Sequence, residues 1–287
     1  MIDKTVKTWS TPAVREEGRI IPCTLCGGLE FKRHLSCREE KVPFFYVRCK
    51  KCGLVQINPQ PGPDLTAARY DGNYGGDYLA YELANEKSFL RLQELALRDA
   101  GFFDSEKEKG RVLDIGCAAG ALLETLSARG WEAAGVEISS PQAAYCRKRG
   151  LRVFDKPLEE NHLPPESFDV VLASHLIEHL NDPGRFAAEV FLILKKGGAF
   201  YVTTPNIQGF QARIFGNRWR SAIFDHLYLF SVKTLTGLLE NAGFLIEKKA
   251  LWGGLAAGTA PAPVKSLFDR AAKRFGFGDV MILRARR

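Results

Sequence analysis

The chain has 287 residues, of which 46% are hydrophobic, and a formal net charge of +7. This length suffices for one complete α/β domain with a small additional module. The sequence contains no run of 18 apolar residues, and its first residues lack the apolar core of a secretory signal, so we expect a cytoplasmic protein without a transmembrane segment. The modest positive charge permits an anionic substrate without requiring one.

Two C-x-x-C pairs dominate the N-terminal part of the chain, and a glycine follows each pair. Their cysteines are Cys23, Cys26, Cys49 and Cys52. Four thiolates at this spacing are typical of a closed tetrahedral zinc site, whereas a reducing cytosol disfavours disulfides. Because a closed site has no open coordination position, the metal is expected to stabilise the fold rather than catalyse. The sequence predicts a zinc ribbon over 20–58, after an N-terminal tail over 1–19, with Cys37 outside the pattern.

The following segment carries prolines, glycines and tyrosines. N-P-Q-P-G-P at 58–63 predicts a stiff linker over 59–69. Beyond it, Tyr70, Tyr74, Tyr78 and Tyr81 stand among glycines. This segment could close over a bound ligand, or it could be a surface turn followed by a helix running to Gly101, and the sequence leaves both interpretations open.

A strand, a glycine turn and a helix follow one another from residue 111 onwards. The apolar run R-V-L-D-I at 111–115 suits a buried strand, and Gly116 and Gly120 bracket a turn where backbone approaches a ligand. A second strand then ends at Glu137, the place where a carboxylate can accept hydrogen bonds from ribose hydroxyls. Ala118 stands where the dinucleotide fingerprint has a glycine, which favours a cofactor without phosphates.

Strands and helices continue to alternate. Further strands are predicted at 151–154, 168–173 and 199–204, with a helix between the last two. This alternation predicts an α/β fold with a doubly wound, mostly parallel Rossmann-like sheet. Ligands in such sheets bind at the carboxyl ends of the strands.

Four segments in this order, V-L-D-I-G-C-A-A-G, G-V-E-I-S, F-D-V-V-L-A-S-H-L-I-E-H-L and L-K-K-G-G, resemble the class I S-adenosylmethionine-dependent methyltransferases. The resemblance covers about residues 70–287 and implies a cofactor-binding domain over that range. A Rossmann-like domain without a ligand is the structural alternative.

The resemblance also implies roles for particular residues. Asp114 and Gly116 would flank the methionine part of the cofactor, Glu137 would hold the ribose, and Ile138 and Leu158 would enclose the adenine. The other residues expected to line the cofactor are Tyr74, Cys117, Gly120, Ser174 and His175. Asp114 could instead be a buried carboxylate that caps nearby backbone amides.

Three histidines are candidates for chemistry. His175 and His179 would share a face if they lay on a helix, and H-L-I-E-H also matches the H-x-x-E-H zinc-protease pattern, which the flanking motifs disfavour. The string F-D-H-L-Y-L-F-S at 224–231 resembles the acceptor-pocket segment of family members that act on small molecules and sugars. His226 first, and His179 second, are therefore the predicted general bases, with Tyr228 as a further polar group. Instead of acting in catalysis, each histidine could have a structural role, either by bonding to the chain at a loop corner or by capping a helix.

The predicted function is methyl transfer to a small molecule, by displacement in line with the methyl–sulfur bond. Sugars, saccharides, nucleotide sugars and natural-product intermediates are the expected acceptors, at oxygen or carbon. The arrangement is similar to nucleotide-sugar C-methyltransferases, which typically carry a further C-terminal domain. We expect no such domain here, which counts against C-methylation of a keto sugar and leaves O-methylation open. A zinc-ribbon RNA methyltransferase is an alternative, although the N-P-P-Y-like motif and an aromatic-rich basic groove are absent. A non-catalytic cofactor-binding scaffold is the alternative from another class.

A mixed apolar and basic stretch precedes the last predicted strand. Over 256–278, apolar residues such as Leu267 alternate at helical spacing with basic residues such as Arg270. This pattern predicts an amphipathic helix that packs on the edge of the sheet or, through 262–275, contacts a membrane surface or a partner.

Overall fold

The computed structural model describes residues 18–36, 45–62, 73–105, 109–254 and 261–287. Within these ranges, the strands are β1 (Phe31–Ser36), β2 (Phe45–Cys49), β3 (Val55–Ile57), β4 (Arg111–Ile115), β5 (Glu132–Val136), β6 (Val153–Phe154), β7 (Phe168–Ser174), β8 (Leu194–Pro205), β9 (Tyr228–Leu229), β10 (Leu245–Trp252) and β11 (Val280–Arg286). The α-helices are α1 (Asn73–Asp99), α2 (Phe102–Ser105), α3 (Ala121–Ala128), α4 (Ser140–Lys148), α5 (Pro183–Ile193), α6 (Phe210–Phe215), α7 (Val232–Asn241) and α8 (Ala262–Phe275). No helix in these ranges combines the length and apolar character that crossing a bilayer would require.

The chain divides into two compact units, and neither is continuous in sequence. The first consists of Met1–Gly62, Pro205–Ser231 and Leu251–Met281, and the second of Pro63–Thr204, Val232–Ala250 and Ile282–Arg287. This division differs from the expected one into a ribbon, a linker and a single domain over 70–287, because two segments from the second half of the chain belong to the unit that holds the four cysteines. Most of the expected linker, from residue 63 on, lies outside the described residues.

The first unit is built on a four-stranded sheet in the order β1-β2-β3-β9. All three strand pairs are antiparallel, and β9 covers the edge of β3 that would otherwise leave backbone groups unpaired. The fully buried Tyr46 in β2 donates a bifurcated hydrogen bond to the carbonyl oxygens of Ile223 and His226, at 2.6 and 2.8 Å. These bonds and the β3–β9 pair explain why the segment around residue 226 belongs to this unit.

Helix α8 lies in the same unit and confirms the predicted amphipathic helix. Ala272 is fully buried, whereas Leu267 and Phe275 on the helix are 61% and 71% exposed. The part of the predicted segment that precedes residue 261 lies mostly outside the described residues. Contact of this helix with a membrane or a partner stays a prediction.

The second unit contains most of a seven-stranded sheet in the order β10-β11-β8-β7-β4-β5-β6. The pairs β4–β5, β4–β7, β5–β6 and β7–β8 are parallel, which confirms the predicted Rossmann-like fold. Val112 in β4 and Val170 in β7 are fully buried, as continuous apolar runs in a sheet covered on both faces should be. Asp182 then starts α5, where its side chain accepts a hydrogen bond from the N–H of Arg185 at 2.9 Å.

The tyrosine-rich segment is helical from Asn73 onward. Helix α1 includes both Tyr78 and Tyr81, whose rings lie 6.2 Å apart between centroids, and Tyr81 is 51% exposed. These two tyrosines therefore fit the surface interpretation rather than a glycine-hinged loop. Tyr70 and the side chain of Tyr74 lie outside the described residues.

Candidate functional site

The glycine turn after β4 has an unusual backbone. Gly116, Ala118 and Gly120 have positive φ angles of 75°, 52° and 82°. The N–H groups of Gly116 and Cys117 donate to the carbonyl oxygen of Val136, at 2.8 and 3.2 Å, and so fix the turn against the end of β5. A methyl carbon at Gly120 would lie 2.5 Å from Cδ1 of Leu151. The backbone angle at position 120 therefore favours glycine, and a side chain there would also force the end of the Leu151 side chain to move.

Glu137 stands directly after β5, beside this turn. Its Oε2 accepts a hydrogen bond from the N–H of Ala118 at 2.9 Å, and its Oε1 accepts one from the N–H of Ser139 at 2.8 Å. Burial raises the pKa of the carboxyl group, while the backbone hydrogen bonds oppose this shift. The two bonds fix the carboxylate in one orientation at the carboxyl end of the strand.

Asp114, the second-last residue of β4, is a buried acid without the usual compensation. It is 2% exposed, and among the described residues none donates a hydrogen bond to its Oδ2. Burial and the nearby charge of Glu137 raise its pKa to about 7. Oδ2 therefore caps no backbone amide of the described residues. A ligand carrying hydrogen-bond donors or positive charge would supply what Oδ2 lacks.

A cavity of about 20 Å³, room for roughly one water molecule, lies beside Asp114. Its lining includes Gln93 and Leu97 of α1 together with Ser174 and Thr203. The side chains at the ends of β4 and β7 therefore meet helix α1 at this point. Ser174, the last residue of β7, lines this cavity, and its contact with the cofactor stays a prediction.

The other residues expected at the cofactor lie in the same unit. Leu158 begins a single turn of 3-10 helix and is buried, and Ile138 is half-buried directly after Glu137. His175 has a φ of +53°, and its ring Nδ1 lies 3.4 Å from Oε1 of Glu178. The side chain of His175 is about half exposed, at 49%.

The segment from His175 to His179 is not α-helical. Ile177–His179 forms one turn of 3-10 helix, and His175 lies before it in the left-handed backbone region. The expectation that the two histidines share a helix face is therefore not met. Glu178, between them, is buried and accepts a hydrogen bond from Oγ1 of Thr204 at 2.9 Å. The acid of the H-x-x-E-H string thus binds a hydroxyl of β8. Because Ile177–His179 is a 3-10 turn and His175 has a positive φ, the string lacks the α-helical geometry of a zinc protease.

A third acid, Glu82 of α1, was missed by sequence reasoning. It is 8% exposed and accepts hydrogen bonds from the side chain of Gln142 and the backbone N–H of Ala119. Burial, followed by the charge of Glu137, raises its pKa to about 7. A signal was present in the sequence, since Glu82 is fourteen residues, close to four helical turns, before the buried Ala96 and so occupies the inward face of the helix.

His226 and Tyr228 lie in the first unit. His226 is 8% exposed, and its Nδ1 is 2.9 Å from the carbonyl oxygen of Ser221. Because a carbonyl oxygen can only accept, Nδ1 carries the proton and a neutral ring has its lone pair on Nε2. Tyr228 is fully buried in β9, and its hydroxyl accepts a hydrogen bond from Nε2 of Gln60 at 3.0 Å. The sequence left open that His226 only bonds to the chain at a loop corner, and its bond to Ser221 is a bond of this kind.

The two cysteine pairs form near-identical turns that bring their sulfurs together. In each turn, the glycine after the second cysteine donates its N–H to the carbonyl of the first, Gly27 to Cys23 at 2.8 Å and Gly53 to Cys49 at 3.0 Å. The Sγ atoms of Cys23 and Cys52 are 3.4 Å apart, and all four Sγ atoms lie within 4.8 Å of one another. Four thiols this close, without a disulfide, form a donor set that suits a tetrahedral metal ion.

Comparison with known proteins agrees with this geometry. Residues 85–249, more than half of the chain, match the protein family described as methyltransferase domain. A protein of Mycolicibacterium smegmatis named probable S-adenosylmethionine-dependent methyltransferase is 34% identical over 169 residues, 58% of this chain and 62% of the relative. The ubiquinone biosynthesis O-methyltransferase of Caulobacter vibrioides is 34% identical over 127 residues, 42% of this chain and 50% of the relative. The chain thus spans half to three fifths of the length of these curated relatives.

Solved structures share the fold. An S-adenosylmethionine-dependent methyltransferase from Thermotoga maritima, 25% identical, has a TM-score of 0.55 over 74% of this chain and 95% of its own. One from Archaeoglobus fulgidus is 23% identical and has a TM-score of 0.54 over 72% of this chain and 99% of its own. At this identity, the similarity supports a shared fold only. Because the family match extends over more than half of the sequence and the fold agrees, the chain belongs to the S-adenosylmethionine-dependent methyltransferase family, in its class I, Rossmann-like form.

Proposed function

We propose that this protein transfers a methyl group from S-adenosylmethionine to a small-molecule acceptor. The observation that supports this most is the pair of buried acids beside the glycine turn, Glu137 oriented by two N–H groups and Asp114 with an unsatisfied Oδ2 among the described residues. S-adenosylmethionine carries two ribose hydroxyls, an ammonium and a sulfonium. These donors and positive charges suit Oδ2 of Asp114, which has no donor among the described residues, and the oriented carboxylate of Glu137, whose oxygens can each accept a further hydrogen bond. The residues present therefore fit this cofactor.

The proposed contacts follow the order of the strands. Glu137 would hold the ribose hydroxyls, Asp114 and Gly116 would flank the methionine part, and Ile138 and Leu158 would enclose the adenine. The further residues that we propose to line the cofactor are Tyr74, Cys117, Gly120, Ser174 and His175.

The cofactor supplies an electrophilic methyl group when it is bound. The chain must then orient the acceptor, exclude water and, where the acceptor is a hydroxyl, remove its proton. We propose His226 as this base, because its Nδ1–H bond to Ser221 leaves the lone pair of the neutral ring on Nε2. His179 is the second candidate, and Tyr228 would hold the segment of His226 through its bond to Gln60.

A hydroxylated small molecule is the proposed acceptor class. Several relatives carry the name ubiquinone biosynthesis O-methyltransferase, which supports transfer to oxygen on a small molecule. Sugars, saccharides, nucleotide sugars and natural-product intermediates remain the proposed acceptors, with carbon as a second site of methylation. We further propose one structural zinc ion held by Cys23, Cys26, Cys49 and Cys52.

Cofactor binding and methyl transfer test this function together. Calorimetry with S-adenosylmethionine would compare wild type, Glu137→Ala and Glu240→Ala, a control that removes an exposed acid from α7. The same samples would then receive cofactor with a radiolabelled methyl group and panels of phenols, saccharides, nucleotide sugars and RNA. We expect micromolar binding that only Glu137→Ala loses, and label transfer to one of the small-molecule panels.

Other outcomes point elsewhere. Transfer of the label to RNA alone would reject the small-molecule acceptor and favour the alternative function, an RNA methyltransferase. Binding without transfer to any panel would favour a cofactor-binding scaffold. A folded protein that does not bind the cofactor would reject the proposal.

A further inference from the structure

Glu82 lies three residues before the first residue of the family match. Its carboxyl group is buried in the second unit, at 8% exposure. Among the described residues, none donates a hydrogen bond to its Oε2. A buried carboxylate oxygen without a donor costs free energy, so its retention calls for a partner that is not part of the described chain.

A hydrogen-bond network joins Glu82 to the acid after β5. Glu82 accepts from the side chain of Gln142, whose Oε1 in turn is bonded to the hydroxyl of Ser139. The N–H of Ser139 donates to Glu137 at 2.8 Å. The consecutive N–H groups of Ala118 and Ala119 complete the arrangement, since the first donates to Glu137 and the second to Glu82. The carboxylate of Glu82, from α1, and that of Glu137, after β5, therefore accept hydrogen bonds from neighbouring N–H groups of the same glycine turn.

The two carboxylates lie close enough to repel each other. The charge of Glu137 contributes to the raised pKa of Glu82, and no lysine or arginine of the described chain is a source of the shift at either Glu82 or Glu137. The repulsion between two acids that share a site without a cation is relieved when one of them takes up a proton, or when a ligand supplies donors to both. Neighbouring hydroxyls of one molecule would do this, one for each carboxylate.

We infer that Glu82 is a second carboxylate of the cofactor site, which accepts a hydrogen bond from one hydroxyl of the ribose that Glu137 also holds. The inference rests on the proposed function. The ligand chemistry is a vicinal diol, because Glu82 and Glu137 bind the N–H groups of two consecutive residues, Ala119 and Ala118, and neighbouring hydroxyls of one molecule match two such adjacent carboxylates. Helix α1 would thus take part in cofactor binding through its buried face.

Binding of S-adenosylhomocysteine and its 2′-deoxy and 3′-deoxy analogues tests this inference. Calorimetry would compare wild type, Glu82→Gln, Glu82→Asp and Asp77→Asn, a control that neutralises an exposed acid on the same helix. We expect Glu82→Gln to weaken the parent ligand by roughly tenfold to a hundredfold, because a charge-assisted hydrogen bond is lost. Asp77→Asn should bind as wild type does, and Glu82→Asp should recover part of the loss.

The deoxy analogues separate a contact from a structural role. If Glu82 accepts one ribose hydroxyl, the analogue that lacks that hydroxyl should bind wild type and Glu82→Gln almost equally. At pH 8, the melting temperature of ligand-free Glu82→Gln should rise, because one of two repelling charges is removed. Equal affinity of wild type and Glu82→Gln for the parent ligand, or the same loss for all three ligands, would overturn the inference while leaving the proposed function intact. A wild type that binds none of the ligands would overturn both.

Discussion

Oε2 of Glu137 accepts a hydrogen bond from the N–H of Ala118 at 2.9 Å and so ties the acid after β5 to the turn after β4. Ala118 has a φ of +52°, a conformation that side-chain-bearing residues rarely adopt. The bond to Glu137 compensates part of this strain. The acid and the turn therefore depend on each other, and a change in one should disturb the other.

Replacing Gly120 by alanine should destabilise the second unit by about 2 to 4 kcal/mol. The new methyl group would enter the left-handed region and would meet Cδ1 of Leu151 at 2.5 Å and Sγ of Cys146 at 3.0 Å. Urea unfolding followed by circular dichroism measures the change in the free energy of unfolding.

Gly150→Ala provides the matched control for this change. Gly150 has a similar φ of +77°, but a methyl group there meets no atom within 4 Å. Only the backbone cost of about 1 kcal/mol should remain. Equal losses for the two variants would show that steric exclusion does not explain the glycine at position 120.

The stability of the ligand-free protein should fall as the pH rises from about 4 to about 7. In the folded state the pKa of Asp114 is raised to about 7, whereas in the unfolded chain this carboxyl group titrates near 4. The folded state therefore holds the proton over this window, and the contribution is complete below pH 4 and lost as the pH passes 7. The pKa of Asp114 is raised by about three units, so the free energy of unfolding should fall by at most about 4 kcal/mol over this pH window. Urea unfolding at pH 5, 6, 7 and 8 measures it.

Asp114→Asn should make this pH dependence shallower, because the amide does not titrate. A residual slope should persist, since the pKa of Glu82 is also raised to about 7. If the variant and wild type lost stability in parallel from pH 5 to pH 8, Asp114 would not carry the effect.

Replacing His226 by asparagine should lower the rate of methyl transfer while leaving cofactor affinity unchanged. The asparagine amide can keep the donor that bonds to the carbonyl oxygen of Ser221, so the loop is expected to hold its conformation. Loss of a general base costs roughly 100-fold to 10,000-fold in kcat. Single-turnover assays with the acceptor found in the panel measure this loss.

His179→Asn is the comparison for this prediction. If His226 is the base, His179→Asn should retain most of the rate. A large loss for His179→Asn together with an unchanged rate for His226→Asn would exchange their roles.

Removing the metal should unfold the first unit. Emission spectrometry should find about one zinc ion per chain in wild type and none in Cys49→Ser, whose melting temperature should fall by roughly 10 to 20 °C. Cys37→Ser is the control, since Cys37 stands outside the two C-x-x-C pairs, and it should keep the zinc. Full zinc content in Cys49→Ser would contradict the four-thiolate site.

Local patterns predicted much of the second unit correctly. The buried run at 111–115, the helix after Gly120 and the strand before Glu137 all lie where the apolar spacing and the glycines place them. These features depend on neighbours in sequence, because burial on both sheet faces and positive φ angles restrict the residue types that fit. The C-x-x-C turns are equally local, and their spacing sufficed to anticipate the cysteine cluster.

Features that depend on distant neighbours were not predictable. Nothing in the residues around Tyr228 indicates that they pair with β3, and nothing around His175 indicates its left-handed conformation. Glu82 was missed for a related reason, because a glutamate on a helix is normally solvent-exposed and only its periodic position revealed burial. Such positions are set by tertiary packing rather than by local propensity.

The pairing of Val55 with Leu229 also bears on synthesis of the chain. Strand β3 is synthesised early, but β9, which pairs with its edge, is synthesised only after more than 170 further residues. At about 5 to 20 residues per second, β3 would remain an open edge for roughly ten seconds or longer. During that interval the nascent protein exposes backbone groups that can pair with another chain, so this edge is where we expect aggregation to begin when translation or folding is impaired.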